Sequence, residues 1–170
     1  KTTTKEMIYL ALSSEYNTLV SESVRNKNDI SLVKTVFDID DKTEAAVFEI
    51  GMTRFGEINR QSSVVKPTVA VITNIGFSHI ENLGSREGIR DAKLEIRKGL
   101  QHDGILILNG DEPLLEDING AIYVAEKNKF ADYVIDNVIE GENGCAFDLL
   151  YNGERVESLT IPAVGRHNVM

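Results

Sequence analysis

Three apolar runs of similar design most constrain how this chain can fold. They read AAVFEIG, VAVITNIG and GILILNGD, and their apolar residues give way to polar ones at Glu49, Asn74 and Asn109. Runs of this length without polar alternation are typical of strands buried on both faces of a parallel sheet. Segments with helical spacing separate them, one over about residues 56–65 and one from Ser85. The alternation predicts an α/β fold with a mostly parallel sheet and flanking helices.

The remaining segments carry weaker patterns. A first helix is predicted to begin at or just after Lys1. Residues 13–41 are polar and irregular around an apolar patch at residues 32–37, and they are predicted to form a loop with one short strand. The helix that starts near Ser85 is predicted to end at Gly99. It is predicted to bury an apolar stripe of four residues, Ile89, Ala92, Ile96 and Leu100.

The pattern changes after Asn119, where shorter alternating runs read DYVIDNVI, CAFDLLY and VESLTI. The segments EGENG and NGER between them are typical of turns. We therefore predict an α/β layer over residues 1–118, with a small appendage of antiparallel strands over residues 119–165.

Composition excludes several classes of function. The net charge of −9 argues against nucleic acid as a partner, because phosphate backbones need a basic surface. A single cysteine, Cys145, cannot form a disulfide within the chain and favours a reducing compartment. The longest apolar runs are too short to span a membrane, and no secretory leader is visible. We expect a cytoplasmic, monomeric protein, and the start at Lys1 suggests an excerpt of a longer chain.

The first residues, KTTTK, match the end of a phosphate-binding loop, G-x-x-x-x-G-K-[ST]. In such loops backbone amides cradle phosphates, the lysine reaches the terminal phosphates and the next hydroxyl binds magnesium. Lys1 and Thr2 would take the last two positions. The segment is also consistent with a solvated helix start capped by a threonine. Ligands of an open parallel sheet bind at the rim formed by the carboxyl ends of its strands. If a phosphate loop lies on that rim, Glu49 is a candidate magnesium ligand; otherwise it is an ordinary strand-end charge.

Two further residues have alternative interpretations. His79 is either a loop histidine making one hydrogen bond or a metal ligand. Lys93 lies beside Ala92 at the border of the apolar stripe. Its stem could cover apolar surface while its ammonium reaches water. Alternatively, partial burial could lower its pKa enough for the amine to react with carbon dioxide, which would give a carbamate that binds metal.

The chain resembles the central ATPase domain of the ATP-dependent Mur ligases of bacterial cell-wall synthesis. The resemblance rests on KTTTKEM, FEIGM, VAVITNIGFSHIENLGSREGIRDAKLEI, LNGDEPLL and GRHNVM, which occur in the family's order. It covers nearly the whole chain. The family implies a P-loop-type fold with ATP and Mg²⁺ as cofactors. The long central motif is most similar to the branch that joins D-alanyl-D-alanine to UDP-N-acetylmuramoyl-tripeptide, so these two molecules are the implied substrates.

The resemblance implies a role for each site residue. The implied nucleotide-binding residues are Lys1, Thr2, Thr3, Asn109, Asp111, His167 and Asn168. The implied metal ligands are Thr2, Glu49, His79 and, when carbamylated, Lys93. Lys1, His79 and Lys93 would act in catalysis, and Asn28 and Asn74 would face the muramyl substrate. The segment KNDISLVKT departs from the family's pattern, since it lacks the usual glycine and proline.

The implied reaction transfers the γ-phosphoryl group of ATP to the tripeptide carboxylate, and the amine of the dipeptide then displaces phosphate. Two other functions remain open on sequence grounds. One is a related ligase of the folylpolyglutamate or cyanophycin type, and the other is a nucleotide-binding module without catalysis. The family's amino-terminal and carboxyl-terminal domains are missing from this chain, so we expect the isolated chain to have negligible ligase activity.

Overall fold

A computed structural model describes residues 1–22 and 30–169. Its helices and strands follow one another along the chain as α1 (Thr2–Ser13), β1 (Thr18–Val20), α2 (Ile30–Phe37), β2 (Ala45–Val47), α3 (Glu57–Val65), β3 (Val69–Ile72), α4 (Ile80–Leu83), α5 (Arg86–Leu94), β4 (Ile105–Asn109), β5 (Ala121–Ala125), β6 (Tyr133–Gly141), β7 (Gly144–Tyr151) and β8 (Glu154–Ile161). Short 3₁₀ segments lie at Glu95–Lys98, Pro113–Leu115 and Arg166–Asn168. The chain forms two compact units, residues 1–67 with 78–102, and residues 68–77 with 103–170.

The first unit contains all five α-helices of the described residues and a two-stranded sheet. Strands β1 and β2 pair in parallel, with Val20 opposite Val47. The predicted helices at the start of the chain, over about residues 56–65 and after Ser85 are confirmed as α1, α3 and α5. Ile89 and Ala92 of the predicted stripe are fully buried. Ile96 and Leu100 are half-buried in and after the 3₁₀ segment that prolongs α5.

The apolar patch 32–37 forms helix α2, so the prediction of a strand there is wrong. The short strand of this region is β1. Two buried residues of α2, Leu32 and Thr35, recur three positions apart, which is helical spacing. The Thr35 hydroxyl donates to the Ser31 carbonyl at 3.0 Å and is satisfied inside the helix. The patch is rich in β-branched residues, which favour strands, and it is too short for its apolar spacing to distinguish a helix from a strand.

The second unit is built on a six-stranded sheet in the order β3-β4-β5-β6-β7-β8. Strands β3 to β6 are parallel neighbours, and β6, β7 and β8 are joined as antiparallel pairs. The predicted α/β class is therefore confirmed. Strand β5 lies after Asn119 yet is parallel to β4, so the antiparallel part begins later than predicted, where β6 meets β7. It continues the same sheet through hydrogen bonds between β5 and β6.

The sheet of the second unit buries one face more than the other. Val69 and Val71 of β3 are 48% and 37% exposed, whereas Ala70 and Ile72 between them are buried. The expectation that such runs are covered on both faces is wrong for β3, because apolar composition does not reveal which side receives a covering element. A core cluster joins Ile135 of β6, Cys145 and Phe147 of β7, and Val169 near the end of the chain. Cys145 is a buried free cysteine.

None of the helices formed by residues 1–22 and 30–169 is both long and apolar enough to cross a bilayer.

Candidate functional site

The amino-terminal end of α1 and the segment after β2 meet in the first unit. Lys1 is the N-cap residue of α1. The Thr2 hydroxyl donates a hydrogen bond of 2.9 Å to a carboxylate oxygen of Glu49. The Lys1 ammonium lies 3.2 Å from the point where a Cβ on Gly51 would stand. Thr3 is exposed in the first turn of the helix, where backbone amides have no acceptor within the helix. Lys1, Thr2 and Glu49 thus form one polar cluster beside Gly51.

This cluster has the chemistry of a magnesium site. A threonine hydroxyl and a carboxylate are hard oxygen donors, and Mg²⁺ is commonly held by one or two protein oxygens together with phosphates and water. The described residues contain no group of three or more His, Cys, Asp or Glu side chains arranged for a metal ion. The two protein oxygens that Thr2 and Glu49 offer match the number of protein ligands that Mg²⁺ takes beside phosphates and water.

Two acidic side chains hold the loop that follows Gly51. The Glu57 carboxylate accepts from the backbone N–H of Thr53 at 2.6 Å and from that of Arg54. Burial opposes ionisation, but these donors outweigh it and keep the pKa of Glu57 below its ordinary value. Glu95 accepts from the N–H groups of Gly56 and Asn59, so it ties the end of α5 to the start of α3.

His79 adopts a left-handed backbone conformation, with φ of 66°, as the N-cap of α4. Its carbonyl accepts from the N–H groups of Asn82 and Leu83. Histidine is one of the residue types enriched in this conformation, and strained backbone often accompanies functional sites. The side chain is half-buried. Its predicted role as a metal ligand stays a prediction.

Lys93 occupies the border position that its sequence spacing indicated. It is half-buried on α5 directly after the fully buried Ala92. Helix α5 begins at Ser85, whose hydroxyl accepts the Gly88 N–H at 3.1 Å. This location is compatible with both a snorkelling lysine and a carbamate, and the choice between them stays a prediction.

In the second unit, Asn109 and Asp111 organise the carboxyl ends of the parallel strands. The Asn109 side chain donates to the Thr73 carbonyl at 3.0 Å and accepts the Asp111 N–H at 2.8 Å. The Asp111 carboxylate accepts backbone N–H groups from Glu126, Lys127 and Asn128 at 2.8 to 3.1 Å.

Burial raises the pKa of Asp111, but the three donors outweigh it and bring the pKa below its ordinary value of 3.8. Asp111 therefore anchors a loop, a role that sequence reasoning missed.

The 3₁₀ segment that carries His167 and Asn168 is tied to the same loop. The Arg166 guanidinium bonds the Glu126 carboxylate through two nitrogens, with Nε at 2.7 Å. This bond raises the pKa of Arg166. Asn168 donates to the Val164 carbonyl at 2.8 Å.

Gly165 has φ of 99°, a conformation that side chains rarely adopt and that favours glycine, and a Cβ there would lie 2.7 Å from the His167 ring. The ring of His167 itself is exposed.

Of the two residues predicted to face the substrate, the structure describes only Asn74. Asn74 is exposed just after β3. Asn28 lies outside the described residues, so its role stays a prediction.

Sequence reasoning also missed two buried polar residues near Glu49. Lys5 donates through its ammonium to the Ser21 carbonyl at 2.8 Å. The Ser21 hydroxyl accepts the Glu49 N–H at 2.9 Å. Lys5 shares a face of α1 with Ile8 and Leu12, so a lysine at apolar helical spacing was an available signal. Glu126 and Arg166 gave no such signal, because 40 residues separate them.

The first unit thus belongs to an α/β protein and carries a cluster of hydroxyl, carboxylate and ammonium groups at the start of α1. Residues 1–170 match the Mur ligase middle domain family, and the chain belongs to that family. The chain is 43% identical to the UDP-N-acetylmuramoyl-tripeptide–D-alanyl-D-alanine ligase of Bacillus subtilis, over 100% of this chain and 36% of the relative. It thus spans about a third of the length of that protein.

Solved structures agree with this assignment. MurF from Acinetobacter baumannii superposes with a TM-score of 0.85 at 28% identity, over 98% of this chain and 37% of that one. MurF from Thermotoga maritima, solved in complex with ADP, gives a TM-score of 0.84 at 22% identity, over 99% of this chain and 40% of that one. The latter likeness supports the fold.

Proposed function

We propose that the chain is the ATP-binding middle part of a cytoplasmic ligase that adds D-alanyl-D-alanine to UDP-N-acetylmuramoyl-tripeptide. The observation that carries the proposal is the contact between Thr2 and Glu49 beside the Lys1 ammonium. It joins the end of a phosphate-loop motif to a strand-end carboxylate. The similarity to the Bacillus subtilis ligase supports the choice of substrates.

The chain's own residues would neutralise and orient the triphosphate. Lys1 would contact the β- and γ-phosphates, and amides in the first turn of α1, including that of Thr3, would add donors. Thr2 and Glu49 would hold a magnesium ion that neutralises phosphate charge. His79 and carbamylated Lys93 would hold a second cation near the acceptor carboxylate.

The reaction would proceed in two steps, phosphoryl transfer and then displacement of phosphate by the amine. A carboxylate oxygen of the tripeptide attacks the γ-phosphorus, the bond to the β,γ-bridging oxygen breaks, and ADP leaves with an acyl phosphate formed. The amine of D-alanyl-D-alanine then attacks the acyl carbon, loses a proton, and inorganic phosphate departs. Positioning and charge neutralisation supply most of the catalysis in such reactions, so few covalent roles fall on the protein.

The remaining residues would act on the nucleotide and the muramyl substrate. His167 and Asn168 would lie near adenine, with Asn109 and Asp111 holding the turn beside the nucleotide. Asn74 and Asn28 would face the UDP-sugar peptide. No nucleic acid or membrane partner is part of the proposal, and we expect the complete protein to be monomeric.

The test is an assay of the complete protein with ATP, Mg²⁺, the UDP-tripeptide and D-alanyl-D-alanine, with mass detection of the amide product. We expect phosphate release that depends on both substrates. Product with a folate or amino-acid polymer acceptor alone would point to a related ligase, and nucleotide binding without any product would point to a non-catalytic module. Either result refutes the proposal. Residues 1–170 alone should give negligible product.

The role of Lys93 has a separate test. Lys93→Ala should abolish most ligase activity, and a short-chain carboxylic acid added to the assay should restore part of it. Arg97→Ala, on an exposed residue of the following 3₁₀ segment, serves as the matched control. Full activity in Lys93→Ala would show that no carbamate is needed.

A further inference from the structure

Lys5 is a buried cation close to the cluster of Thr2 and Glu49. The residue is 5% exposed on α1. Its ammonium donates to the Ser21 carbonyl at 2.8 Å and pairs with a carboxylate oxygen of Glu6 at 2.9 Å. Taking an ammonium out of water is unfavourable unless hydrogen bonds and an opposite charge compensate. A lysine whose ammonium reached water would avoid this desolvation penalty, so the buried position of the Lys5 ammonium calls for an explanation.

Ser21, the acceptor of this hydrogen bond, is a junction between the two strands of the first unit. It is 2% exposed directly after β1. Its N–H donates to the Val47 carbonyl at 2.8 Å, which extends the pairing of β1 with β2. Its hydroxyl accepts the N–H of Glu49 at 2.9 Å. Ser21 therefore fixes the backbone of Glu49 relative to β1.

These contacts close a ring through three elements. Lys5 ties α1 to Ser21, Ser21 ties the end of β1 to Glu49, and the Glu49 carboxylate returns to α1 by accepting from Thr2. Thr2 and Lys5 lie within the first turns of the same helix. The link from Lys5 to Ser21 therefore joins the same helix and the same strand region that the contact of Thr2 with Glu49 joins.

We propose that Lys5 is a positioning residue for the cation site, and that it acts through Ser21 to hold Glu49 at bonding distance from the oxygen of Thr2. The inference rests on the proposed function, in which Thr2 and Glu49 bind the nucleotide's magnesium. Groups that orient metal ligands commonly change metal affinity by about 10- to 100-fold when removed. Lys5 would touch neither metal nor nucleotide.

The test measures Mn²⁺ binding by electron paramagnetic resonance on the complete protein with a non-hydrolysable ATP analogue. Lys5→Met keeps the length of the side chain and removes its charge, and we expect Mn²⁺ affinity to fall about tenfold. Ser21→Ala removes the hydroxyl that fixes Glu49 and should weaken Mn²⁺ binding in the same direction. The double variant should be no weaker than Lys5→Met alone, because both changes break the same ring. Lys42→Met, on an exposed loop lysine of the same unit, is the matched control and should bind normally.

The outcomes separate the inference from the proposed function. Wild-type protein that binds no Mn²⁺ with the analogue would refute both. Normal Mn²⁺ affinity in Lys5→Met, even with a lowered melting temperature, would show that Lys5 only stabilises the fold. If Lys5→Met fails to fold, the Mn²⁺ affinity of Ser21→Ala decides the question. An affinity equal to that of wild type would overturn the positioning role, and a reduced affinity would support it.

Discussion

The carboxylates of Glu49 and Asp111 both follow apolar strands, but they accept hydrogen bonds from different numbers and kinds of donors. Within the described residues, the Glu49 carboxylate accepts one hydrogen bond, from the Thr2 hydroxyl. The Asp111 carboxylate accepts from three consecutive backbone amides of the loop that begins at Glu126. A hydroxyl contact leaves oxygen lone pairs for a cation, whereas a carboxylate that accepts three amides has few left.

The difference shows that a polar residue at a strand end is not by itself a ligand. Glu49 lies beside a lysine and a helix start, where the proposed polyanion and its cation would both find donors and ligands. Asp111 joins a strand end to a loop and is needed for the loop's shape. We therefore expect changes at Glu49 to affect metal binding and catalysis, and changes at Asp111 to affect stability.

The largest effect is expected for Glu49→Gln in the complete protein. Loss of the charge should lower the ligase rate on the order of 10²-fold, because charge stabilisation of this kind contributes factors of that size. The melting temperature should change little. Glu15→Gln, on an exposed loop residue of the same unit, is the control. A rate within a factor of two of wild type, measured at saturating ATP, would remove Glu49 from the cation site.

Asp111→Asn should act on stability. Loss of one carboxylate oxygen from a set of backbone donors should lower the free energy of unfolding by about 1 to 3 kcal/mol at pH 7. The pKa of Asp111 is lowered in the folded protein, so its stabilisation is fully present above the ordinary value of 3.8 and is lost as the pH falls through the lower folded-state pKa. The difference between wild type and variant should therefore shrink in acid.

Chemical denaturation at pH 7 and below pH 3.8 measures this effect, with Asp103→Asn on an exposed turn as the control. Unchanged stability together with lost nucleotide binding would make Asp111 a ligand and erase the contrast with Glu49.

The smallest effect is expected at the ion pair of Glu126 and Arg166. Glu126→Arg or Arg166→Glu alone should raise the dissociation constant of an ATP analogue by at most about fivefold, since partly exposed ion pairs contribute little. The exchanged pair, carrying both substitutions, should recover most of the affinity. High salt should reduce all these differences. Equal binding by the single variants and wild type at low salt would mean that the pair does not position the segment with His167.

The elements that sequence predicted best are those with long, regular patterns. Helix α5 shows its stripe at Ile89 and Ala92, and its start at Ser85 follows from capping chemistry. Helix α2 was missed because eight residues rich in β-branched side chains satisfy helix and strand patterns alike.

Within the candidate site, residues adjacent in sequence were the easiest to identify. Lys1 and Thr2 belong to a local motif. The pairing of Thr2 with Glu49 spans 47 residues, and it came from the resemblance to the family together with the expectation that the helix at Lys1 opens toward the carboxyl ends of the strands. The hydrogen bonds that the Asp111 carboxylate accepts from three backbone amides could not be predicted, because they depend on the path of a loop.

The most direct test of the contrast between Glu49 and Asp111 is a crystal structure of the complete protein with a non-hydrolysable ATP analogue and Mn²⁺, with the metal located by its anomalous scattering. We expect a metal peak about 2.1 Å from the Thr2 hydroxyl and from a Glu49 carboxylate oxygen. We also expect Asp111 to keep its hydrogen bonds to three backbone amides. A metal peak bonded to Asp111, or a nucleotide-bound metal away from Glu49, would contradict the proposed cation site.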